Sequence, residues 1–544
     1  MRGRGLNAGI NRRQLLKAGG GIAAAAVGAN LLAACGSSGN GTSGGSSGPA
    51  LSGGPSVEGS PVKGGTLRVG LVSAGSAETI DPKIIANTPD MARGANLYDT
   101  LFLNAPGGVE PGLAVSAEPN KDATVWTFKL RDDVTFHNGK PFTADDVIYT
   151  MQKSWGAEDS YQYAFASSVT DLKNLRKIDR LTVEIPLLRP VAQFPTTTSF
   201  QNTPIIPAGT TDFQKGVGTG PFKLDSFTPG KISKMSANAD YWGGAPHVDE
   251  LIIDSSFTDD AARLNAVLSG GIHIAPSAPP ALAQANANSS DLVLANVQAP
   301  QFVAIVLRVS RPPFNDPRVI QALKLLTDRE SVVSDAFSGY AEIGNDSPPA
   351  TLEYFASDIR PEYDPEKAKS LLKQAGQEDL SFPLVTAPTL PGMVETGTLW
   401  SAQAAEVGLD FPVKQVPLAV MYNTAQGYMD DSRPVSMTFW NNMPSSMSSF
   451  FLSAYTPDAV YPETGWGSKP SQVKLIDEAL AEMDTTKAEE KWHAAQEQQI
   501  KEGGYIVPAN PNYLDAYSPA VRGLETTSAG PCANYAFRKA WLES

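Results

Sequence analysis

The sequence predicts a mixed α/β protein, because short segments of alternating polarity are interspersed with longer segments of helical periodicity. A strand is predicted over Thr66–Val72, where apolar residues alternate with other residues. Two strands joined by a tight turn at Arg131–Asp133 are predicted over Val125–Phe136. The pattern then changes to that of a helix, with Thr143 as the N-cap and Asp146 at the third position of a capping box.

Further helices are predicted along the chain, each with its own start signal. Thr258 is predicted to cap one of them. Two others begin with Asp-Pro, an N-cap followed by proline at the first helical position, at Asp316 and Asp364. The last long helical region is predicted from about Ser471 to Glu502, and a strand follows it over Tyr505–Ala509.

The N-terminal segment has the features of an export signal. Residues 1–34 contain paired arginines within Asn11–Lys17, which resembles the twin-arginine export consensus. The weakly apolar segment Ile22–Ala34 that follows is well short of the ~20 residues that span a bilayer. Leu32–Cys35 resembles a lipobox, in which the cysteine becomes the lipidated first residue. We therefore expect export, by the twin-arginine route in preference to the general secretion route, and a lipid anchor at Cys35.

Composition distinguishes a predicted flexible linker from the acidic, folded part of the chain. Residues 35–64 are predicted to be a flexible linker, because they are rich in Gly, Ser and Pro, and such a chain spans ~30 Å. Residues 1–34 hold five basic and no acidic side chains, so the remainder has 38 basic against 57 acidic residues and a formal charge of −19. This charge argues against nucleic acid and anionic lipid as partners, and we expect a monomer.

Catalytic and metal-binding patterns are scarce in the sequence. The four histidines are far apart, and none belongs to an HExxH motif or a His/Cys cluster. Gly44–Gly48 matches G-x-S-x-G by letter, but it lies in the predicted linker without a strand before it or a helix after it. Apart from Cys35, the sequence contains one cysteine, Cys532, which we interpret as a small core residue. We expect no enzymatic activity, no cofactor and no metal.

Several segments, in this order, resemble the family 5 extracytoplasmic solute-binding proteins, the oligopeptide-, dipeptide- and nickel-binding components of ABC importers. Val125–Gln152 is close to the most recognisable segment of that family, and the resemblance extends roughly from Gly65 to Ala509. We interpret these motifs as determinants of the scaffold and not of the ligand site. The other similar segments are Gly218–Gly230, Asp240–Ile253, Arg311–Val333 and Tyr363–Gly376.

The resemblance implies a two-lobed periplasmic-binding-protein fold, class II-like and of the large cluster C type. Residues 65–299 and 511–544 would form lobe I, and residues 300–510 would form lobe II. The crossings near Gln298–Val303 and Pro508–Pro511 would be hinges. The implied function is a lipid-anchored receptor that captures a peptide or other medium-sized solute by closure and delivers it to an ABC permease. An extracytoplasmic hydrolase or a non-transport surface lipoprotein on the same scaffold is the alternative.

The resemblance also indicates where a ligand would bind in lobe II. Peptide-binding members hold the ligand α-amine with an aspartate in a W-x-x-D segment, and the equivalent here contains Trp440 with Met443 in the place of the aspartate. Asn441 and Asn442 offer only neutral dipoles, and a buried ammonium without a counter-charge is costly. Either the ligand has no free amine, which we favour, or another acid supplies the charge. The candidate acids are Glu78, Asp430 and Asp431.

Other candidate site residues follow from the same resemblance. Ser76, Ala77 and Glu78 correspond to a loop whose backbone contacts the ligand in relatives. Arg308 stands where the family commonly has asparagine; it could clamp a carboxylate or phosphate, or be solvated or ion-paired, which we favour. Aromatic rings could be stacking platforms in a large cleft, but we favour plain core packing for each of them except Trp440, for which both roles stay open. These aromatic residues are Tyr161, Tyr163, Trp400, Trp440, Tyr461 and Trp466.

Overall fold

The computed structural model describes residues 49–105, 108–200, 203–421, 433–441, 446–468, 470–524 and 527–543. The predicted signal segment and Cys35 lie outside these ranges. Among the described residues, no helix combines the length and the apolar character that crossing a bilayer requires.

Short strands occur from the first part of the described chain to its end. In chain order they are β1 (Thr66–Val72), β2 (Phe102–Ala105), β3 (Gly108–Pro111), β4 (Ala114–Pro119), β5 (Val125–Leu130), β6 (Arg176–Asp179), β7 (Thr182–Pro186), β8 (Phe222–Phe227), β9 (Ile232–Ala237), β10 (Glu250–Phe257), β11 (Ile274–Ala275), β12 (Val293–Val297), β13 (Phe302–Leu307), β14 (Ala341–Ile343), β15 (Leu384–Thr386), β16 (Val413–Gln415), β17 (Val435–Trp440), β18 (Tyr505–Pro511), β19 (Tyr513–Tyr517), β20 (Val521–Arg522) and β21 (Trp541–Leu542).

Helices are interspersed with these strands. In chain order they are α1 (Thr88–Leu97), α2 (Ala144–Thr150), α3 (Tyr163–Val169), α4 (Phe194–Thr197), α5 (Asp260–Leu268), α6 (Pro280–Asn286), α7 (Pro317–Leu325), α8 (Arg329–Phe337), α9 (Pro365–Ala375), α10 (Met393–Glu406), α11 (Leu418–Met421), α12 (Met447–Ala454), α13 (Pro470–Leu480) and α14 (Thr485–Glu502).

Two large sheets define the two lobes. The sheet of the first lobe has seven strands in the order β12-β19-β11-β1-β10-β9-β8, and β1 pairs in parallel with β10. The sheet of the second lobe has six strands in the order β14-β18-β13-β17-β15-β16. The chain passes from β12 to β13 and returns from β18 to β19. The mixed α/β, two-lobed architecture that the sequence predicts is therefore observed.

The two crossings between the lobes are bonded to each other. The side-chain amide of Gln301 donates to the carbonyl of Pro511 at 2.9 Å. The amide of Asn512 donates to the side-chain oxygen of Asn296 at 2.8 Å. These bonds join the two connecting segments side by side, as a pair of hinge strands requires. The exact lobe boundaries and the hinge motion stay predictions.

A third, four-stranded sheet was not predicted from the sequence. It has the order β4-β5-β7-β6 and lies in the chain after the two-stranded β2-β3 sheet and before β8 of the seven-stranded sheet. Its buried side chains, such as Phe128 and Phe194, belong to one continuous apolar cluster with those of the six-stranded sheet, such as Phe302 and Phe450. This inserted sheet therefore packs on the second lobe, although both of its chain ends lead to the first.

Local signals in the sequence explain several elements. The capping box predicted at Thr143 is present, with the Thr143 backbone N–H donating to the Asp146 carboxylate at 2.8 Å. Asp316 and Asp364 cap α7 and α9 as predicted. Cys532 is completely buried, in agreement with the prediction of a core residue, and it is a free cysteine among the described residues.

Three predicted elements differ from the structure. The second strand of the hairpin predicted at Arg131–Asp133 does not form, because Val134 and Phe136 turn into the core and β5 pairs with β4 and β7 instead. Asp259, not Thr258, caps α5; its carboxylate accepts from the Ala262 N–H at 2.8 Å. The last helical region is two helices, α13 and α14, because Asp484 caps a second start.

The predicted linker is ordered over part of its length. Ser52 exchanges two backbone hydrogen bonds with Asn296, at 2.9 and 3.0 Å. The Gly64 N–H donates to the carbonyl of His247 at 2.8 Å. Residues 49–64 therefore contact the first lobe, which corrects the prediction that all of residues 35–64 are a flexible tether.

The family-like motifs of the first lobe meet at one buried carboxylate. Asp99 accepts hydrogen bonds from the Thr219 hydroxyl at 2.8 Å and from the Tyr241 hydroxyl and the Trp242 indole N–H, each at 2.9 Å. A Cβ on Gly218 would lie 2.0 Å from the carbonyl oxygen of Leu97, so glycine is the residue that fits there. These contacts agree with the interpretation of the motifs as scaffold.

Candidate functional site

One face of the second-lobe sheet presents a row of polar and aromatic side chains. Register places Phe302 of β13 opposite Trp440 of β17, and Ala304 opposite Thr438. Tyr505 of β18 pairs with Val306. Because side chains alternate along a strand, Phe302, Thr438, Trp440 and Tyr505 lie on one face. Trp440 and Phe302 stand at the end of the sheet where the chain crosses to the first lobe.

Trp440 lies in a cluster of aromatic rings. Its ring centroid is 4.9 Å from that of Phe450 and 5.5 Å from that of Tyr461, both edge-to-face, and 6.4 Å from the stacked ring of Phe302. These are the distances at which aromatic pairs contribute beyond their buried area. Trp440 is half-buried and Tyr461 is 39 % exposed, so this pair can offer ring surface to a ligand.

A buried carboxylate, Glu463, lies behind this aromatic cluster. It is 2 % exposed and accepts hydrogen bonds from the Tyr505 hydroxyl at 2.6 Å and the Thr438 hydroxyl at 3.1 Å. Burial raises the pKa of Glu463 to about 7, although these hydroxyls and the positive charge of Arg308 act in the opposite direction. Sequence reasoning missed Glu463, because no motif marks it and it reaches Thr438 across 25 residues of chain.

Only 5 % of Arg308 is exposed, so it is not solvated. The other half of the favoured prediction, a charge-paired side chain, agrees with its electrostatic interaction with Glu463. Its guanidinium donates to the carbonyl of Pro462 at 3.2 Å, next to Glu463. It therefore supports the loop that carries Glu463, and its positive charge partly compensates the buried carboxylate. This placement argues against its predicted use as an open clamp for a ligand anion.

The first-lobe loop after β1 divides into an exposed and a buried part. Ser76 and Ala77 are exposed. Glu78 is 4 % exposed; its carboxylate is 3.0 Å from the guanidinium of Arg93 and accepts from the Ser255 hydroxyl at 2.7 Å. The Glu78 side chain is therefore engaged within the lobe and cannot also hold a ligand amine, whereas the loop backbone stays a predicted contact.

The other aromatic candidates differ in accessibility. Trp400 and Trp466 are completely buried: the Trp400 indole N–H donates to the Thr327 hydroxyl at 3.0 Å, and Trp466 packs on Tyr455 at 4.9 Å. Both are core residues, which agrees with the favoured prediction of core packing and argues against Trp466 as a candidate ligand-binding residue. Tyr163, at 36 % exposure, is the first residue of α3, and Tyr161, at 57 % exposure, lies two residues before it.

The remaining predicted residues follow directly after Trp440. Asn441 is exposed at the end of β17. Asn442 and Met443 lie outside the described residues, as do the candidate acids Asp430 and Asp431. The structure thus brings Trp440, Tyr461 and Arg308 into one region with Glu463, and it places the Ser76 loop on the other lobe.

Comparison with known proteins shows what this architecture is. The family model for bacterial extracellular solute-binding proteins, family 5 Middle, matches residues 108–461. The chain belongs to this family. The dipeptide-binding protein of Escherichia coli K12 is 26 % identical over 497 residues, which cover 84 % of this chain and 92 % of that protein.

Solved structures show the same fold. The periplasmic binding protein DppA of Helicobacter pylori, in complex with the peptide STSA, superposes with a TM-score of 0.76 at 22 % identity and covers 89 % of this chain and 99 % of that chain. AgaA of A. tumefaciens R10, in complex with agropinic acid, has a TM-score of 0.74 at 20 % identity over 88 % and 99 % of the two chains. These relatives are extracytoplasmic binding proteins and not enzymes.

Proposed function

We propose that this chain is the lipid-anchored receptor of an ABC importer, which captures a short peptide or another solute of similar size between its lobes and delivers it to a permease. The observation that carries the proposal is the half-buried Trp440 at the hinge end of the second-lobe sheet, in a member of the family 5 solute-binding proteins. Tyr461 adds ring surface beside it, and the exposed Ser76–Ala77 loop offers backbone groups from the first lobe.

The chemistry of the proposed site fits a ligand bound through aromatic contact and backbone hydrogen bonds. Glu78 is paired with Arg93, and both oxygens of Glu463 accept hydrogen bonds, so neither carboxylate is open to a ligand ammonium. Relatives of this fold were solved with a peptide and with agropinic acid, so the scaffold accommodates both classes. Within the peptide-sized class, we favour a ligand that does not depend on a charged amine.

Native mass spectrometry of the purified full chain tests this function. We expect a bound small molecule in the wild-type protein, and we expect Trp440→Ala to reduce its retention by about tenfold, because the ligand loses a ring face worth about 1–2 kcal/mol. Tyr363→Ala, which removes an exposed aromatic ring of the second lobe, is the control and should not change retention.

The chemical identity of the molecule that is recovered from the purified protein distinguishes between the ligand classes. A ladder of peptides would show that free amines are accepted, against our preference for an amine-independent ligand. A ligand that is chemically changed after incubation with fresh protein would contradict a binding function altogether. Full retention in Trp440→Ala would contradict the placement of the site.

We also propose that Cys35 carries the lipid that holds the protein at the outer face of the cytoplasmic membrane. The lipobox-like Leu32–Cys35 supports this, and residues 36–48 separate it from the docked segment that begins at Pro49. We expect Cys35→Ser to move the protein from the membrane pellet to the soluble exported fraction. Cys532→Ser, which changes the other thiol, is the control; membrane retention of Cys35→Ser would refute the anchor.

A further inference from the structure

A loop of the inserted four-stranded sheet makes direct polar contacts with the second lobe. This loop, Leu188–Gln193, follows β7. The guanidinium of Arg189 is 2.6 Å from the carboxylate of Asp458. The backbone N–H of Ala192 donates to the carbonyl of Leu480 at 2.7 Å. We call Leu188–Gln193 the latch loop.

Gln193 is the most specific contact of the latch loop. Its amide nitrogen donates to the carboxylate of Glu353 at 2.6 Å, and its amide oxygen accepts from the hydroxyl of Ser446 at 3.1 Å. Glu353 and Ser446 are themselves joined by a backbone bridge. One side-chain amide therefore uses both of its ends to hold two segments of the second lobe.

The latch loop is fixed to the inserted sheet, which the chain enters from the first lobe and leaves to the first lobe. The Trp126 indole N–H donates to the carbonyl of Val191 at 3.1 Å, and the Val191 N–H donates to the carbonyl of Ala123 at 3.1 Å. These bonds fix the loop to its own sheet, whose chain ends lead to β3 and β8. The contacts with Glu353, Ser446, Asp458 and Leu480 thus join this sheet to the second lobe without a covalent link, in addition to the apolar cluster that the two share.

Ser446 connects this contact to the ligand region. It is the N-cap residue of α12, and the ring of Phe450 on that helix lies 4.9 Å from the ring of Trp440. We propose that the latch loop is a closure latch, in which Gln193 holds the lobes together and couples their contact to ligand at Trp440 through Ser446. The coupling rests on the ligand site proposed above.

The latch can be tested by exchanging the hydrogen-bond donor and acceptor between Gln193 and Glu353. Gln193→Glu places a carboxylate against Glu353, and the two like charges should separate the segments. The double variant Q193E/E353Q restores a donor and an acceptor in exchanged positions, and Ser446 can still donate to residue 193. Gln284→Glu, an exposed glutamine on first-lobe helix α6, is the charge-matched control.

Hydrogen exchange measures how often the latch opens, because the Ala192 N–H donates to the carbonyl of Leu480 in the second lobe. In the full chain without added ligand, we expect Q193E to accelerate exchange of this amide about tenfold, since the interlobe contact opens more often. The double variant and Q284E should exchange like the wild type. Unchanged exchange in Q193E, or acceleration that the double variant does not reverse, would overturn the latch.

Ligand affinity tests the coupling separately. The probes are the dipeptide Met-Leu and the tetrapeptide Ser-Thr-Ser-Ala, titrated by calorimetry. We expect Q193E to weaken the probe that binds the wild type about five- to tenfold, with recovery in the double variant. An accelerated Ala192 exchange with unchanged affinity would overturn the coupling. If neither probe binds the wild type, these free-amine peptides are excluded as ligands, and retention of the molecule that co-purifies with the chain, measured by native mass spectrometry in Q193E and the double variant, decides on the coupling. The exchange measurement decides on the latch in either case.

Discussion

Replacing Asp346 by alanine is expected to lower the free energy of unfolding of the second lobe by about 3–5 kcal/mol, more than a typical core substitution. Asp346 is 3 % exposed, and its two oxygens lie 2.8 and 2.9 Å from the guanidinium of Arg329, which is itself 4 % exposed. Its carboxylate also accepts the Val507 N–H of β18 at 2.8 Å. The alanine variant leaves the arginine charge buried without a counter-charge.

The neighbouring lysine adds to this cost. The ammonium of Lys324 is 3.8 Å from Asp346, and burial lowers the pKa of Lys324 to about 8, while the negative charge of Asp346 opposes that shift. Without the carboxylate, two cationic side chains would share one buried region. Asp346 also has a φ of 67°, where asparagine is tolerated better than alanine. Asp346→Asn should therefore cost less than Asp346→Ala.

Chemical denaturation followed by tryptophan fluorescence measures this effect. The matched control is Glu366→Ala, which removes an ion pair of similar length, 2.8 Å to Lys369, from a side chain that is 81 % exposed. Exposed pairs contribute ~0–1 kcal/mol, so the control should stay close to the wild type. A loss below about 1 kcal/mol for Asp346→Ala would contradict the account of a buried, compensated charge cluster.

More of the fold than of the candidate site could be predicted, because the sequence signals for the fold come from residues that are close together in the chain. The Asp-Pro starts of α7 and α9 and the capping box at Thr143 depend on residues a few positions apart, and each is confirmed. The second strand of the hairpin was wrongly predicted, because its apolar residues Val134 and Phe136 alternate with other residues as in a strand. Val134 and Phe136 nevertheless pack into the core, and periodicity does not show which partner a segment pairs with.

The candidate site could be predicted only in part, because the contacts of its residues are distant in sequence. Trp440 was found through the resemblance, but Glu463 and Gln193 were not. Gln193 meets Glu353 across 160 residues and Ser446 across 253, and neither spacing leaves a pattern in the chain. Trp466 is an error of the opposite kind. It was named as a candidate because its residue type suits a stacking platform, but tertiary packing buries it against Tyr455.

Raising the pH from about 5 to 8 is expected to remove about 3 kcal/mol of stability from the second lobe through Glu463 alone. Burial raises the pKa of Glu463 from 4.5 to about 7, so between these values the folded protein binds a proton that the unfolded chain has released. Stability from this group is therefore complete below pH 4.5 and is lost as the pH rises through about 7. Glu463→Gln cannot titrate and should not show this loss.

The difference between the wild type and Glu463→Gln isolates this effect from other titrations. Burial lowers the pKa values of His137 and His273 in the first lobe, so these histidines make stability rise with pH, which is the opposite sign. Both proteins share them, and the contribution cancels in the difference. Glu362→Gln, at an exposed pair with Lys367, controls for the loss of an acid. A wild-type-minus-variant difference that stays constant from about pH 5 to 8 would show that Glu463 is ionised throughout, with Arg308 sufficient to hold its charge behind Trp440.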